Sequence, residues 1–217
     1  MLLNRPEGVR VQDGLGHASF QPAAGGFPRT ALLDDFNRAN EGPPPSANWS
    51  NITGVSDNIV VVSNEAGPEA DGEGYALWTA STFGPDCEVW VTISTKGTEE
   101  HGLFIRTAQG GDITTLDAYF LDVNEIGGAA NDDWTFYEVT NGSFAALGAT
   151  VQQEVASGDS FGIEMISSTM LGYYKAGAGA WVEILNRTDA TISAAGNIGI
   201  LIELEPARFD NFGGGTI

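Results

Sequence analysis

The sequence has very little positive charge and almost no cysteine. Its 217 residues include nine lysines and arginines against 29 aspartates and glutamates, so the formal net charge is −20. Clustered lysine and arginine are what a phosphate backbone requires, so we expect no nucleic-acid partner and no anionic membrane partner. The single Cys87 rules out an internal disulfide framework and a four-cysteine zinc site, and a small buried hydrophobic role is expected for it.

The sequence also lacks the apolar segments that direct proteins to membranes or anchor them there. Its first residues, MLLNRPEGVRVQDG, show no basic stretch followed by an apolar run, which predicts no secretory signal. A run of about 18 apolar residues, long enough to span a membrane, is absent as well. We therefore expect a soluble protein.

Helical periodicity is absent, whereas turn residues are frequent, with 29 glycines and nine prolines. From residue 31 onward, short runs of alternating apolar residues recur between turn residues, which is typical of strands. The predicted strands are 31–37, 58–63, 74–79, 86–95, 101–107, 116–124, 133–140, 143–148, 160–167, 170–175, 181–185, 197–204 and 207–212. Asn141 and Gly142 tolerate positive φ and predict a two-residue hairpin turn. These patterns indicate an all-β sandwich or barrel.

Two similar motifs lie at opposite ends of this β region. LLDDF occupies residues 32–36 and RFDNF occupies residues 208–212. If the first and last strands are neighbours, their phenylalanines can point inward while their aspartates gather at one edge. We therefore predict that the two ends pair and close a sandwich.

The first 30 residues differ from the rest of the chain. They mix glycine, proline and isolated apolar residues without a period of 2 or 3.6, which indicates an extended N-terminal arm. Such a segment is ordered only if something holds it, so we expect it to dock on a partner subunit or on its own sandwich. The predicted organisation is an arm over 1–30 and one domain over 31–217.

Several segments together carry a resemblance to a known family. LLDDFNRANEGPPPSANWSNI, FGPDCEVWVTIS, GLFIRTA, FYEVTNGSFAALG, GDSFGIEM, NRTDATISAAGNIGILI and RFDNFGGGT occur in this order. The series resembles the concanavalin A-like jelly roll in its laminin-G-like form, common in bacterial and bacteriophage proteins. The resemblance implies two curved antiparallel sheets, with the concave one often used for carbohydrate. The same fold hosts lectin modules, glycan hydrolases and structural virion domains.

One short segment has the carboxylate spacing of a laminarinase-type hydrolase. Glu69, Asp71 and Glu73 form a Glu-x-Asp-x-Glu pattern, which on one strand would put all three carboxylates on one face. Glycines and a proline surround them where a central strand needs large apolar residues, which favours a loop. We therefore expect no enzymatic activity.

The aspartates of the two terminal motifs are candidate calcium ligands. The resemblance implies an ion between the terminal strands, held by Asp34 or Asp35 together with Asp210 and backbone carbonyls. The alternative is that these aspartates cap turns or pair with Arg38 and Arg208.

Carbohydrate binding requires aromatic faces flanked by planar polar groups. The candidates are Trp134, Tyr137, Tyr119 and Arg106, which lie in segments that can line a concave sheet. In a sandwich, however, most aromatic side chains fill the space between the sheets, so the core is the competing location for each.

The leading functional hypothesis is a non-enzymatic structural virion protein on the outer surface of a particle, either a capsid decoration or a tail-associated component. We expect it to self-associate, for example as a trimer, and to contact major capsid or tail proteins through its arm. The first alternative is a carbohydrate-binding module that attaches to a polysaccharide. The second is a glycoside hydrolase of laminarinase-like fold.

Overall fold

The computed structural model describes residues 11–12, 18–19, 26–108, 110–125 and 131–217, and it is built almost entirely of β-strands. The described strands are β1 (Val11–Gln12), β2 (Ala18–Ser19), β3 (Leu32–Asp34), β4 (Trp49–Asn51), β5 (Ile59–Val62), β6 (Glu65–Pro68), β7 (Glu73–Phe83), β8 (Cys87–Thr95), β9 (Glu100–Ala108), β10 (Asp117–Asn124), β11 (Asp133–Thr140), β12 (Ser143–Ala146), β13 (Val151–Gln152), β14 (Ser160–Ile166), β15 (Thr169–Lys175), β16 (Val182–Thr188), β17 (Gly196–Glu203) and β18 (Arg208–Thr216). A 3-10 turn at Ile113–Thr115 precedes β10. Within the described ranges, no helix has the length and apolar character needed to cross a membrane.

Two antiparallel sheets form a jelly-roll sandwich, as the sequence predicted. The first sheet has the order β12-β11-β10-β9-β17-β7-β4, and β13 also pairs with β11. The second sheet has the order β16-β15-β14-β8-β18-β6-β5, and β3 also pairs with β18. The predicted Asn141-Gly142 hairpin connects β11 to β12, and both residues have positive φ. The short strands β4, β6 and β13 were not predicted, because too few residues alternate in them to give a signal.

The core lies between the two sheets. In the long central strands, alternation sends every second side chain into it, including Leu103 and Ile105 from β9 and Val89 and Val91 from β8. All four are fully buried. Because this core faces only one side of each sheet, the outer face of each sheet is left for other roles.

The first and last strands of the predicted domain pair, which confirms the sequence prediction. Strand β3 lies antiparallel to β18, with Asp34 opposite Phe212. Phe36 and Phe212 both point into the core and are fully buried. Trp49 joins them, with ring centroids 5.8 Å from Phe36 and 4.7 Å from Phe212.

The described end of the predicted arm lies on the chain's own second sheet. Phe27 stacks on Tyr173 of β15 with ring centroids 4.3 Å apart. The backbone N–H groups of Arg29 and Thr30 each donate to Glu88 of β8 at 2.6 Å. Residues 26–30 therefore dock on their own sandwich. Apart from the β1–β2 ribbon, residues 1–25 lie outside the described part of the chain, and docking of the arm on a partner stays a prediction.

Replacing Phe212 tests how far the fold depends on this closure. Phe212→Ala should lower the free energy of unfolding by about 3–5 kcal/mol, because it removes a fully buried ring and leaves a cavity. Urea titration measures the loss. The matched control is Phe144→Ala, since Phe144 is 37% exposed and should lose less than half as much. Equal losses for the two variants would contradict a closure role for Phe212.

Candidate functional site

The outer face of the first sheet, turned away from the second sheet, carries the candidate site. On β10, Tyr119 and Leu121 pack in the core between the sheets. Phe120, Asp122 and Asn124 alternate with them and therefore point to the outer face. Phe120 belongs to a separate apolar cluster on that face. The outer face is thus built from positions that the core does not use.

Strand register aligns acidic and amide side chains across five neighbouring strands. Glu73 of β7 lies opposite Glu203 of β17, and a hydrogen bond from the Glu100 backbone joins Glu203 to β9. Asn124 of β10 lies opposite both Glu100 and Asp133 of β11, and its side-chain amide donates to Glu100 at 3.2 Å. We call these five residues the acidic row. All five are half-buried, so each reaches the surface of the sheet.

Asp122 lies beside the acidic row, one outward-facing position along β10 from Asn124. Its neighbours in register are Gly102 and Thr135. The side chain is only 5% exposed, and its Oδ1 atom has no hydrogen-bond partner among the residues that the structure describes. Because buried polar atoms are normally paired, an unpaired carboxylate oxygen here distinguishes Asp122 from an ordinary structural aspartate.

Burial and crowding of like charges raise carboxyl pKa values in this region. Burial, followed by the charges of Glu203 and Glu73, raises the pKa of Glu100 to about 7. Burial, followed by the charges of Glu100 and Glu203, raises the pKa of Asp122 to about 8. Burial also raises the pKa of Glu203. Near neutral pH, Glu100 and Asp122 therefore exchange between charged and neutral forms.

An aromatic stripe runs along the same outer face. Its rings are Tyr75, Phe104, Phe120, Tyr137 and Phe144, and successive centroids lie 4.6–6.3 Å apart. The Tyr75 hydroxyl donates to Glu73, which joins the stripe to the acidic row. Phe104 and Phe120 are buried, whereas Tyr137 is half-buried and Phe144 is 37% exposed. Tyr137 and Phe144 are therefore the accessible end of the stripe.

Three of the four predicted carbohydrate-binding residues lie elsewhere. Trp134 and Tyr119 are fully buried between the sheets, where they add apolar area to the core. The Trp134 ring N–H donates to the Gln153 carbonyl, and the Tyr119 hydroxyl donates to Asp189. Both polar groups are thus satisfied inside the protein. Of the two predicted tyrosines, only Tyr137 reaches the outer face.

Arg106 is a structural residue in this fold rather than a surface group. Its guanidinium donates to the backbone carbonyls of Pro85, Ile192 and Ser167 at 2.6–2.9 Å. The side chain is only 1% exposed. Because its donors already tie three loops together, Arg106 is not available to a ligand.

The Glu-x-Asp-x-Glu triplet does not form a shared catalytic face. Glu69 and Asp71 lie in the loop between β6 and β7, as the surrounding glycines indicated, and these two strands belong to different sheets. Glu69 accepts from Asn58, and Asp71 accepts from the Glu205 backbone. Glu73, the first residue of β7, alone joins the acidic row.

The predicted calcium ligands divide into two groups. Asp34 is buried and accepts from the Trp49 ring N–H at 2.8 Å, from the Phe36 backbone and from two Arg38 nitrogens, so its oxygens are occupied. This pairing with Arg38 is the alternative that the sequence left open.

Asp35 and Asp210 instead line one open depression, together with Asn37, Ser63, Asn64, Glu65 and Asn211. Across the described ranges, no three His, Cys, Asp or Glu side chains are arranged to hold a metal ion.

Cys87 has no features of a reactive thiol. The side chain is fully buried, and this burial raises the pKa of its thiol to about 12. A thiol in this state is neither a nucleophile nor a metal ligand near neutral pH.

Sequence reasoning missed Glu100, Glu203 and Phe144 as site residues. Glu203 and Phe144 lie at outward-facing positions of predicted strands, so alternation could have marked them, whereas Glu100 lies one residue before the predicted strand 101–107. What brings the acidic residues together is the order β7-β17-β9-β10, which joins strands that are distant in sequence. That order is a property of the tertiary fold and leaves no local signal.

Comparison with known proteins identifies solved structures whose fold is similar to that of this chain. The sequence matches no protein-family model and no curated protein. Among solved structures, carbohydrate-binding module CBM66 from Bacillus subtilis is similar over 78% of this chain and 94% of its own, with a TM-score of 0.58 and 16% identity. The exoplasmic/lumenal domain of VIP36, bound to Ca²⁺ and Man3GlcNAc, is similar over 77% and 82%, with a TM-score of 0.53 and 11% identity.

A glucanase has a similar architecture as well. A prokaryotic β-1,3-1,4-glucanase (lichenase) derived from a mouse hindgut metagenome is similar over 83% of this chain and 96% of its own, with a TM-score of 0.51 and 9% identity. At these identities the similarity establishes the fold alone. The chain therefore has the concanavalin A-like jelly-roll fold of lectin-like domains and glucanases.

The raised pKa of Asp122 predicts a pH-dependent loss of stability. A carboxyl whose folded pKa lies above its unfolded value stabilises the protein fully below about pH 4, and this contribution is lost as pH rises through about 8. Asp122→Asn should therefore gain stability relative to the wild type as pH rises over this window, by an amount on the order of a few kcal/mol. Urea titrations across the window measure the difference.

The control for this experiment is Glu183→Gln on β16 of the second sheet, which also removes one negative charge. Its stability difference from the wild type should vary much less with pH, because Glu183 lies outside the acidic row. A pH-independent difference for Asp122→Asn would contradict the raised pKa.

Proposed function

We propose that the protein is a non-catalytic carbohydrate-binding domain that holds a glycan on the outer face of the first sheet. The observation that carries this proposal is the adjacency of the aromatic stripe to the acidic row. Sugar-binding sites need apolar ring faces beside a few placed polar groups that fix orientation. The exposed end of the stripe, Tyr137 and Phe144, supplies the ring faces.

The polar groups needed beside those rings are present on neighbouring strands. Thr135 lies two residues before Tyr137 on β11, and Asp122 of β10 lies opposite Thr135. Asn124 and Glu100 follow in the acidic row. Carboxylates accept hydrogen bonds from hydroxyl groups strongly, because the acceptor is charged. The structural neighbours support the proposal, since CBM66 is a carbohydrate-binding module and VIP36 has been seen with Man3GlcNAc.

Affinity electrophoresis in gels containing mixed-linkage β-glucan or mannan tests this function. The wild type should be retarded by at least one polysaccharide. Tyr137→Ala and Phe144→Ala should each weaken binding at least about tenfold, the equivalent of about 1.4 kcal/mol. Trp181→Ala is the matched control, because Trp181 lies outside the first sheet and packs against Phe27. Equal retardation of all three variants would place any glycan elsewhere.

A glycoside hydrolase is the second candidate, favoured by the arrangement of Glu100 and Glu203. They are neighbours across two adjacent strands, where opposite residues have Cβ atoms about 4.5–5.5 Å apart and can therefore bring their carboxyl groups close together. A retaining hydrolase has its two carboxyl groups about 5–5.5 Å apart, one of them with a raised pKa. Release of reducing ends from β-glucan, lost in Glu100→Gln, would establish this function in place of simple binding.

A calcium ion between the terminal strands is part of the proposal. Asp35 and Asp210 line the same depression, and Asn37 and Asn64 line it as well. Calcium accepts such mixed oxygen ligands. The neighbouring charges of Glu65 and Asp35 add to burial in raising the pKa of Asp210, and a cation here would relieve that repulsion.

Calcium should stabilise the folded chain, because a ligand that binds only the folded state raises the melting temperature. After treatment with a chelator, adding Ca²⁺ should raise Tm in the wild type and leave Asp210→Asn unchanged. Asp117→Asn, at the other end of the fold near the β11–β12 turn, should respond like the wild type. A wild-type Tm that is insensitive to Ca²⁺ would count against the site.

The structural virion role, with self-association and docking on capsid or tail proteins, stays a prediction. It depends on the resemblance to phage jelly rolls and on an arm that is mostly outside the described residues. A glycan-binding outer face is compatible with it, since display on a particle leaves that face free for attachment.

A further inference from the structure

The acidic row and Asp122 form a negatively charged surface whose charge no described cation offsets. Among the described residues, lysine and arginine side chains form ion pairs only with carboxylates outside the acidic row, and none of these carboxylates is Asp122. Like charges directly opposite one another destabilise neighbouring strands. The sheet therefore carries an electrostatic cost that a cationic ligand would remove.

Asp122 indicates that this surface lacks a hydrogen-bond donor. Its side chain is 5% exposed, and its Oδ1 atom has no partner among the described residues. Leaving a buried acceptor unpaired is unfavourable, and more so for a charged group. Because Asp122 is next to the half-buried Glu100 and Asn124, a donor supplied from solvent along the acidic row can approach it.

We propose that this surface binds the protonated amino groups of a glycan whose sugar rings carry free amines. The inference rests on the proposed glycan-binding function and adds the substrate class. An ammonium group has three donors and a full positive charge, so it can satisfy several carboxylate oxygens at once.

The shape of the acidic row favours a series of amines over one metal ion. Glu73, Glu203 and Glu100 lie on three consecutive strands, which are about 4.8 Å apart, so the row extends across the sheet. Within the described ranges, no three acidic side chains are arranged to hold a metal. An extended chain that carries repeated positive groups matches this linear arrangement.

The aromatic stripe favours a sugar over a cationic peptide. Tyr137 lies two residues from Thr135 on β11, and Thr135 is opposite Asp122 on the same face. Phe144 packs on Tyr137, with ring centroids 6.1 Å apart. An amino sugar presents a ring face with an ammonium group attached directly to the ring. It can therefore contact an aromatic side chain and a carboxylate at the same time, whereas a lysine holds its ammonium group at the end of a flexible stem.

Protonation of the surface provides an independent readout. The groups that face Asp122 are Glu73, Glu203, Glu100 and Asp133, each on a different strand, and Tyr137. A bound ammonium favours the ionised form of nearby carboxyls and so lowers their pKa values. At mildly acidic pH, where the ligand amines are already protonated, binding should therefore release protons, since burial holds part of Glu100 and Asp122 in the neutral form.

Calorimetry on the full chain tests the inference with two oligosaccharides of equal length, one of glucosamine and one of N-acetylglucosamine. At mildly acidic pH, where its amines are protonated, the glucosamine oligomer should bind at least about tenfold more tightly. Repeating the titration in buffers of different ionisation enthalpy should show proton release for the free-amine oligomer alone.

Variants of the surface separate charge recognition from ring stacking. Asp122→Asn and Glu203→Gln should bring the affinity ratio of the two oligomers close to one, with little change for the acetylated oligomer. Glu183→Gln, which removes one negative charge from the second sheet, should keep the wild-type ratio. A short lysine oligomer should bind more weakly than the glucosamine oligomer.

Each contrary outcome overturns a different part of the inference. Equal affinity for both oligosaccharides rejects amine recognition and leaves glycan binding in place. If neither oligomer binds and no polysaccharide retards the protein, glycan binding and amine recognition fail together. Equal or tighter binding of the lysine oligomer, lost in Asp122→Asn, would show that the surface takes cationic peptides and overturn the sugar assignment.

Discussion

Backbone pairing of the last strand with its neighbours is the interaction on which the rest of the structure depends. Strand β18 bonds to β8 on one side and to β6 and β3 on the other, so it joins the start, the middle and the end of the domain. The same pairing brings Phe212 against Trp49, whose ring N–H donates to Asp34. Core packing and a buried hydrogen-bond network are thus fixed together by one strand.

The two sheets differ in how their outer faces are used. The second sheet is covered by the chain itself, because Phe27 stacks on Tyr173 and Glu88 accepts two backbone N–H groups from Arg29 and Thr30. The first sheet keeps its acidic row half-buried and leaves a carboxylate oxygen of Asp122 without a partner in the described ranges. Unfavourable electrostatics of this kind persist in a fold when the rest of the structure is stable enough to hold them, and they are concentrated at functional sites.

Much of the fold could be predicted from the sequence, whereas little of the site could. Alternation and the Asn141-Gly142 turn identified the longer strands, because these signals involve residues close together in the chain. The pairing of the ends could be predicted from the repeated Asp-Phe motifs. The site residues were mostly misplaced, since Trp134 and Tyr119 fill the core and Arg106 binds three backbone carbonyls. Aromatic and arginine side chains suit an interior and a ligand site equally well, and composition does not distinguish the two.

The sequence by itself determined the all-β class, the positions of the longer strands, the acidic character and the loop placement of Glu69 and Asp71, because each depends on local propensity or on counted charge. Only the tertiary structure decided that Glu73, Glu203, Glu100 and Asp122 share one face. They come from four strands separated by up to 130 residues, from Glu73 to Glu203, and strand order alone makes them neighbours. Long-range register has no local signature, since the same alternating strand can pair with many partners before the sandwich closes.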